Sequence, residues 1–232
     1  MEKQKYTAIV LAAGSGKRMN SKVHKQYLII QDRPVLYYSL KAFEDSAVDE
    51  IVLVVGKGEE EFCRREIVDK YGISKVKAIV EGGKERYHSV FEGLKQTSDA
   101  DYVLIHDGAR PFVDQDIIRR CMQEVQKYQA CVVGMPVKDT IKIADEEGYA
   151  KQTPDRKNVW MIQTPQTFSY ALIYEAYEEM LKTEDTAITD DAMVLERIKG
   201  KKSKLIEGSY RNIKITTPED LLIANVYLQH PE

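Results

Sequence analysis

Positions 11–19 read Leu11-Ala12-Ala13-Gly14-Ser15-Gly16-Lys17-Arg18-Met19, and an acid-free stretch then continues through Lys22 and His24 to Lys25. Glycine lets a backbone approach a ligand closely and turn its N–H groups inward. Small residues ahead of it leave room, and Lys17-Arg18 adds two cations at once. That combination fits phosphate. Neither common glycine fingerprint is complete. G-x-x-x-x-G-K-[ST] fails because Arg18 follows Lys17, and G-x-G-x-x-G/A fails because Met19 holds its third place. On this loop alone, a strand-to-helix turn with solvated lysines stays open as the alternative.

Two further segments could carry chemistry. Ile105-His106-Asp107-Gly108-Ala109-Arg110-Pro111-Phe112 follows a Val/Ile-rich run. A carboxylate at a strand end is where an α/β enzyme places a metal ligand. Magnesium takes one or two carboxylates and leaves the rest of its shell to water and phosphate. Asp107 could equally just close a turn before Pro111. In Gly82-Gly83-Lys84-Glu85-Arg86-Tyr87-His88-Ser89 the glycines could admit a base and Ser89 could bond to it, though a plain turn and helix start reads as well. The basic run Lys199–Lys204 reads as a solvated loop. Tyr170, Tyr174 and Tyr177 have helical spacing and read as packing.

The elements that would hold these residues alternate. Near-continuous apolar runs at 6–12, 50–55, 76–80, 102–106 and 130–135 have the character of strands buried on both faces of a parallel sheet. Helical patterns lie between them. One is opened by Pro34, one spans Glu59–Tyr71 with Gly72 able to cap its end, and one is capped by Asp114. This predicts an α/β domain with ligands outside the carboxyl ends of the strands. Residues 136–165 break the rhythm and predict a hairpin or arm leaving the sheet. Helices near 169–182 and 189–199, a short strand near 212–215 and a last helix opened by Pro218 complete the expectation. No linker divides the chain, so one domain over 1–232 is expected.

Composition sets the class. The chain has 232 residues, 43% hydrophobic and 31% charged, enough for a sizeable core. No apolar run approaches the ~18 residues of a membrane span. Polar Met1–Tyr6 and the short run Ala8–Ala13 do not make a secretory leader, so a cytoplasmic protein is expected. Cys63, Cys121 and Cys131 are odd in number with no C-x-x-C pair, and four histidines show no H-x-x-x-H pair. Net charge is −3, which does not point to nucleic acid. Residues 1–31 nevertheless hold six cations and one acid, against 28 cations and 36 acids in the remainder. A local anion site fits this better than a polyanion track.

Taken together, the segments LAAGSGKRM (11–19), KQYL (25–28), GGKERYHSV (82–90), HDGARPF (106–112), PVKDTIK (136–142), QTPQTF (163–168), TDDAMVLE (189–196) and NIKITTPEDL (212–221) resemble the 2-C-methyl-D-erythritol 4-phosphate cytidylyltransferase family. The order and spacing of the pieces cover nearly the whole chain.

That resemblance implies a Rossmann-like, mostly parallel sheet with helices on both faces and a protruding β-arm at about 136–165. It implies CMP transfer from CTP to the sugar-alcohol phosphate in the non-mevalonate isoprenoid pathway. Leu11, Ala12, Ala13, Gly14, Gly16 and Lys17 would cradle the nucleotide. Arg18 and Lys25 would stabilise charge on the α-phosphate and pyrophosphate. Gly83, Ser89 and Ala109 would complete the nucleotide site, with Gly83 and Ser89 reading cytosine, and Asp107 would hold Mg²⁺. Family members are homodimers with crossed arms, so Thr140 and Arg156 of one subunit would reach the sugar phosphate of the other. Lys214 would contact it within its own subunit, and Arg110 and Thr189 would also bind it.

The chain departs from the family at His24, where Pro is common, at Lys84, where an acid is common, and at Gly108, where Ala is frequent. Ribitol-5-phosphate cytidylyltransferase shares the fold and chemistry. That family tends to have Gly where this chain has Ala13 and Val where it has Ala109, and it lacks the KDTIK and TDDA pieces. A nicotinamide-dependent oxidoreductase is a remoter reading: Asp32 lies near where a ribose-binding acid would stand, but Met19 and Lys17-Arg18 oppose it. A non-catalytic sugar-nucleotide sensor is opposed by intact Arg18, Lys25 and Asp107.

Overall fold

Alternate side chains of the first strand serve two different cores. In β1 (Tyr6–Ala12), Ala8 and Val10 pack into one apolar cluster and Ile9 into another, all fully buried. Period-two geometry sends neighbours to opposite faces, so a strand apolar throughout must be covered on both sides. The computed structural model describes residues 3–14, 24–183 and 187–230, and the following concerns those residues.

After β1 come a short antiparallel ribbon of β2 (Ile29–Ile30) and β3 (Arg33–Pro34), α1 (Val35–Glu44), β4 (Glu50–Val55) and α2 (Glu60–Cys63), which continues as a π-helical turn over Arg64–Asp69. Then follow β5 (Val76–Glu81), α3 (Arg86–Leu94), β6 (Tyr102–Asp107), α4 (Gln115–Tyr128) and β7 (Ala130–Pro136). A small hairpin of β8 (Ile143–Ala144) and β9 (Ala150–Gln152) precedes β10 (Trp160–Ser169). The chain ends with α5 (Tyr170–Met180), α6 (Asp191–Lys199), β11 (Lys204–Glu207) and α7 (Pro218–Gln229).

The central sheet has the order β11-β7-β10-β6-β1-β4-β5. β10 runs antiparallel to β6 and β7, and the other pairings are parallel. Helices α1, α2 and α4 cover one face through Leu36, Leu40, Phe43, Cys63, Ile117, Ile118 and Cys121. Helices α3, α5 and α6 cover the other through Val90, Leu94, Ile173, Tyr177, Val194 and Leu195. The leucine, isoleucine, valine and phenylalanine side chains among them each contribute about 1.5–3 kcal/mol on full burial. Successive strands step outward from β1 to β4 and β5, and the chain then crosses to β6 on β1's other side. The switch point lies between β1 and β6, where open α/β sheets bind ligands. Their carboxyl ends are level: Leu11 pairs with Asp107, and Gly108 N donates to Leu11 O at 2.8 Å.

The α/β class, the five parallel-type runs and the Asp114 cap, whose carboxylate accepts from Ile117 N at 2.7 Å, match the sequence reading. Four local expectations change. The helix expected over 59–71 is four α-helical residues followed by a wider π turn, ending at Gly72 with φ 63°. Trp160–Ser169 rejoins the central sheet, so the excursion is confined to 137–159. Residues 212–215 form no strand ladder. They are pinned singly, by Arg110 Nη1 to Asn212 O at 2.8 Å and Ile215 N to Ala109 O at 2.8 Å. The edge strand is instead Lys204–Glu207, parallel to β7. Its lysine-rich approach hid it, because an exposed edge strand tolerates charge.

Candidate functional site

Two clefts open side by side at the carboxyl ends of β1 and β6. The first, of about 330 Å³, is lined by Leu11, Ala12, Ala13 and Gly14, by Lys25 and Gln26, by Gly83–Arg86 and Ser89, and by Asp107, Ala109 and Lys214. The second, of about 320 Å³, is lined by Arg110, Ile162–Thr164, Gln166, Thr189 and Asp190, again with Arg86, Asp107 and Lys214. These last three side chains form the partition.

Asp107 is the centre of that partition. Lys214 Nζ lies 2.7 Å from Oδ2, Arg86 Nε 3.4 Å from Oδ1 and Arg110 Nε 3.9 Å from Oδ2. Burial alone would raise its pKa, but the charges of Arg86, Lys214 and Arg110 outweigh it and hold the carboxyl well below the usual range. Asp107 is therefore ionised in a buried setting. Its backbone is fixed too. Asp107 N donates to Thr164 Oγ1 at 3.1 Å, and that hydroxyl lies 3.0 Å from Nδ1 of fully buried His106. Burial pushes His106 down to about 4, so it is neutral at pH 7 and bridges Thr164 to Arg110 O rather than carrying charge.

Arg86 is held from behind. Its Nη1 and Nη2 each donate to Asp191 at 2.8 Å, a two-pronged pairing that fixes the guanidinium plane. Asp191 is completely buried, and Tyr177 Oη donates to it at 2.5 Å. Gln166 Oε1 accepts from Asp191 N and Ala192 N, while Gln166 Nε2 donates to Asp190 Oδ2 at 3.0 Å. Asp190 in turn caps α6 by accepting from Met193 N. Tyr177 thus packs as its spacing suggested and also serves this network.

The glycine loop of α3 is shaped by Ser89. Its Oγ accepts from Gly83 N at 3.1 Å. A Cβ on Gly83 would stand 2.3 Å from His88 Cβ, so only glycine fits there. Lys25 opens a short 3-10 turn, and Gln26 in that turn donates its amide to Ala12 O.

The structure therefore gathers Leu11, Ala12, Ala13, Gly14, Lys25, Gly83, Ser89, Asp107, Ala109, Arg110, Thr189 and Lys214 around one partition. Gly16, Lys17 and Arg18 lie outside the described residues. Thr140 and Arg156 line neither cleft of their own chain. Both are exposed on the excursion, and Arg156 Nη1 donates to Lys138 O at 2.8 Å. Arg86, Gln166, Asp190 and Asp191 received no role from sequence. Their pieces were visible, but nothing in the spacing pairs a residue of 82–90 with one of 189–196. Asp32, the acid that a dinucleotide site would need, sits on the turn between β2 and β3 with its side chain 72% exposed and beside Arg33.

Residues 6–230 match the family of 2-C-methyl-D-erythritol 4-phosphate cytidylyltransferase. Among similar proteins, the cytidylyltransferase of that name from Lachnoclostridium phytofermentans is 51% identical over 226 residues, covering 97% of each chain. That of Lachnospira eligens is 54% identical over 225 residues, covering 96% of this chain and 99% of its own. The crystal structure of 4-diphosphocytidyl-2C-methyl-D-erythritol synthase from Anaerococcus prevotii superposes with a TM-score of 0.86 at 38% identity, covering 98% of this chain and 97% of its own.

Proposed function

The chain belongs to the 2-C-methyl-D-erythritol 4-phosphate cytidylyltransferase family, and from that membership we infer that it transfers CMP from CTP to 2-C-methyl-D-erythritol 4-phosphate, releasing pyrophosphate. The observation that carries this reading is the charged partition. Two clefts for two anionic reactants meet at Asp107, Arg86 and Lys214.

The first cleft takes CTP. Leu11, Ala12, Ala13 and Gly14 line it toward the phosphates, Gly83 and Ser89 toward the base, with Ala109 beside them, and Gly16 and Lys17 are assigned to phosphate binding from the family resemblance alone. The second cleft takes the sugar-alcohol phosphate, with Arg110, Thr189 and Lys214 on it. A phosphate monoester is largely doubly ionised at pH 7 (second pKa about 6), so its oxygen attacks the α-phosphorus without a general base. As that bond forms, the bond to the pyrophosphate oxygen breaks. The chain supplies positioning and charge stabilisation, through Lys25 and Arg18.

One carboxylate between the two clefts, Asp107, supports a divalent cation of the Mg²⁺ kind, which would have to compete there with Lys214 and Arg86. Asp107 is ionised and borders both clefts, while no cluster of three or more His, Cys, Asp or Glu occurs among the described residues. Magnesium asks for few protein carboxylates when phosphates complete its shell. Asp107 would hold it, and the ion would neutralise charge on the triphosphate.

The assembly is a homodimer. The β8–β9 hairpin leaves Ile143 46% and Tyr149 70% exposed, and an isolated two-stranded ribbon is marginal in water. A two-fold partner would cover it and bring Thr140 and Arg156 to the partner's second cleft. No helix among the described residues is long and apolar enough to cross a membrane.

Pyrophosphate release from CTP, with methylerythritol 4-phosphate and ribitol 5-phosphate offered separately, tests the reading. A kcat/KM at least ~100-fold higher for methylerythritol 4-phosphate is expected, the scale of a lost set of polar contacts. Comparable values for the two would overturn the choice of substrate.

A further inference from the structure

Lys25 is carried on a turn whose other residues are tied to two different parts of the sheet. On one side, buried Gln26 donates to Ala12 O at the end of β1. On the other, the anchor is Glu59, in the loop between β4 and α2. His24 Nδ1 lies 2.7 Å from Glu59 Oε1, and Tyr27 Oη donates to Glu59 Oε2 at 2.7 Å. The Tyr27 hydroxyl also meets Cys63 Sγ at 3.0 Å, and its ring packs edge-on against Phe62 with centroids 5.1 Å apart.

The place of the Glu59 carboxylate is built. Gly56 N donates to Oε2 at 3.0 Å, and a Cβ on Gly56 would stand 2.7 Å from that oxygen. Only glycine at 56 leaves room for it. The Glu59 side chain is 20% exposed and lines neither cleft, whereas Lys25 lines the first. Glu59 thus hydrogen-bonds Tyr27 and lies against His24, on the two sides of Lys25, without reaching the substrates.

We propose that Glu59 is the positioning residue for Lys25, fixing the turn His24–Tyr27 so that the lysine meets the nucleotide at the right distance. This rests on the reading that Lys25 stabilises charge in the first cleft. Without Glu59 the turn is held on the Ala12 side through Gln26, and its other edge keeps only the Tyr27 contacts with Cys63 and Phe62. A displacement near 1 Å at a catalytic cation costs on the order of 100-fold in rate.

A double-mutant cycle on the intact enzyme tests this, with kcat, KM for CTP and the thermal midpoint measured for Glu59→Ala, Lys25→Ala and the pair. Glu59→Ala should lower kcat about 10- to 100-fold and move KM far less, since it removes precision rather than a contact. Lys25→Ala should cost about 100- to 1,000-fold. The pair should be no worse than Lys25→Ala within about twofold, because an effect that acts through Lys25 vanishes with it. Glu59→Gln, the same shape with an acceptor for Tyr27 and Gly56, should recover most of the rate. If Glu59→Ala does not fold, Tyr27→Phe replaces it in the cycle, with a smaller loss that also vanishes beside Lys25→Ala. Multiplicative losses in the pair, or full activity in Glu59→Ala, would overturn the proposal while leaving Lys25 in place. Full activity in Lys25→Ala would instead remove the underlying reading, and this proposal with it.

Discussion

Arg86 grips Asp191 with two hydrogen bonds of 2.8 Å, and the same guanidinium reaches Asp107 with Nε 3.4 Å from Oδ1. One side chain thereby joins the start of α3, the start of α6 and the end of β6. Burial alone would weaken the Arg86 charge, but Asp191 and Asp107 raise its pKa well above the ordinary value. The site's geometry and the packing of its second face are thus one construction.

Removing Arg86 leaves Asp191 buried with a hydroxyl and no cation. Breaking a buried pair from one side costs about 3–5 kcal/mol. At about 2–4 °C per kcal/mol for a chain this size, Arg86→Ala should lower the midpoint by roughly 6–20 °C. Arg86→Lys should fall between, because an ammonium keeps the charge and loses the fork. Thermal unfolding followed by circular dichroism reads this directly. A drop below about 3 °C in Arg86→Ala would mean that Asp191 is satisfied without it.

Asp107→Asn should keep the fold, because Thr164, Gly108 and the β1 pairing still hold the strand end. Its rate should fall about 100- to 1,000-fold, the usual cost of one preorganised electrostatic contact. Activity should also respond less to added Mg²⁺. Titrating Mg²⁺ against turnover for both proteins separates the outcomes. An unchanged Mg²⁺ requirement at full rate would place the metal ligand elsewhere.

Much of this was legible because the physics was local. The runs at 6–12, 50–55 and 102–106 became strands since both faces of the sheet are covered, and Asp114 capped α4 as its position implied. Asp107 stood out as a carboxylate at a strand end, open to a metal or a plain turn, and Lys25 took its role only from the family resemblance. Arg86 with Asp191, and His24 with Glu59, were not legible, because each pair is made by tertiary packing between helix starts and loops far apart in sequence. Lys204–Glu207 was hidden by its own charge at the sheet edge, and 212–215 by having single anchors rather than a ladder.

Far from the clefts, Asp99 shares Lys5 at 2.5 Å and Lys77 at 3.1 Å, and Glu50 meets both lysines. The hydrogen bonds from Lys5 and then Lys77 lower Asp99 to about 2. Its unfolded value is near 3.9. The folded state therefore binds fewer protons, and the contribution is complete above about pH 4 and lost as pH falls toward about 2. The Asp99 side chain is 52% exposed, so solvent screening keeps this to at most ~1 kcal/mol. Asp99→Asn should unfold slightly earlier in urea at pH 7, with the gap to wild type unchanged at pH 5 and roughly halved near pH 3. A gap that widens on acidification would reverse the assignment.

The last prediction concerns the excursion. Arg156 lines neither cleft of its own chain, while Lys25 lines the first. If two-fold symmetry brings Arg156 to the partner's substrate, the two residues serve different sites within one dimer. Arg156→Ala and Lys25→Ala should then each be nearly inactive alone. In a mixed dimer one site would carry both defects and the other neither. Random reassortment of equal amounts makes about half the dimers mixed, and each of these has one intact site in two. About a quarter of wild-type activity should therefore return on mixing. Native mass spectrometry would confirm that subunits had exchanged. Exchange without recovery would mean that Arg156 acts within its own subunit or not at all, and the dimer would lose its place in the catalytic unit.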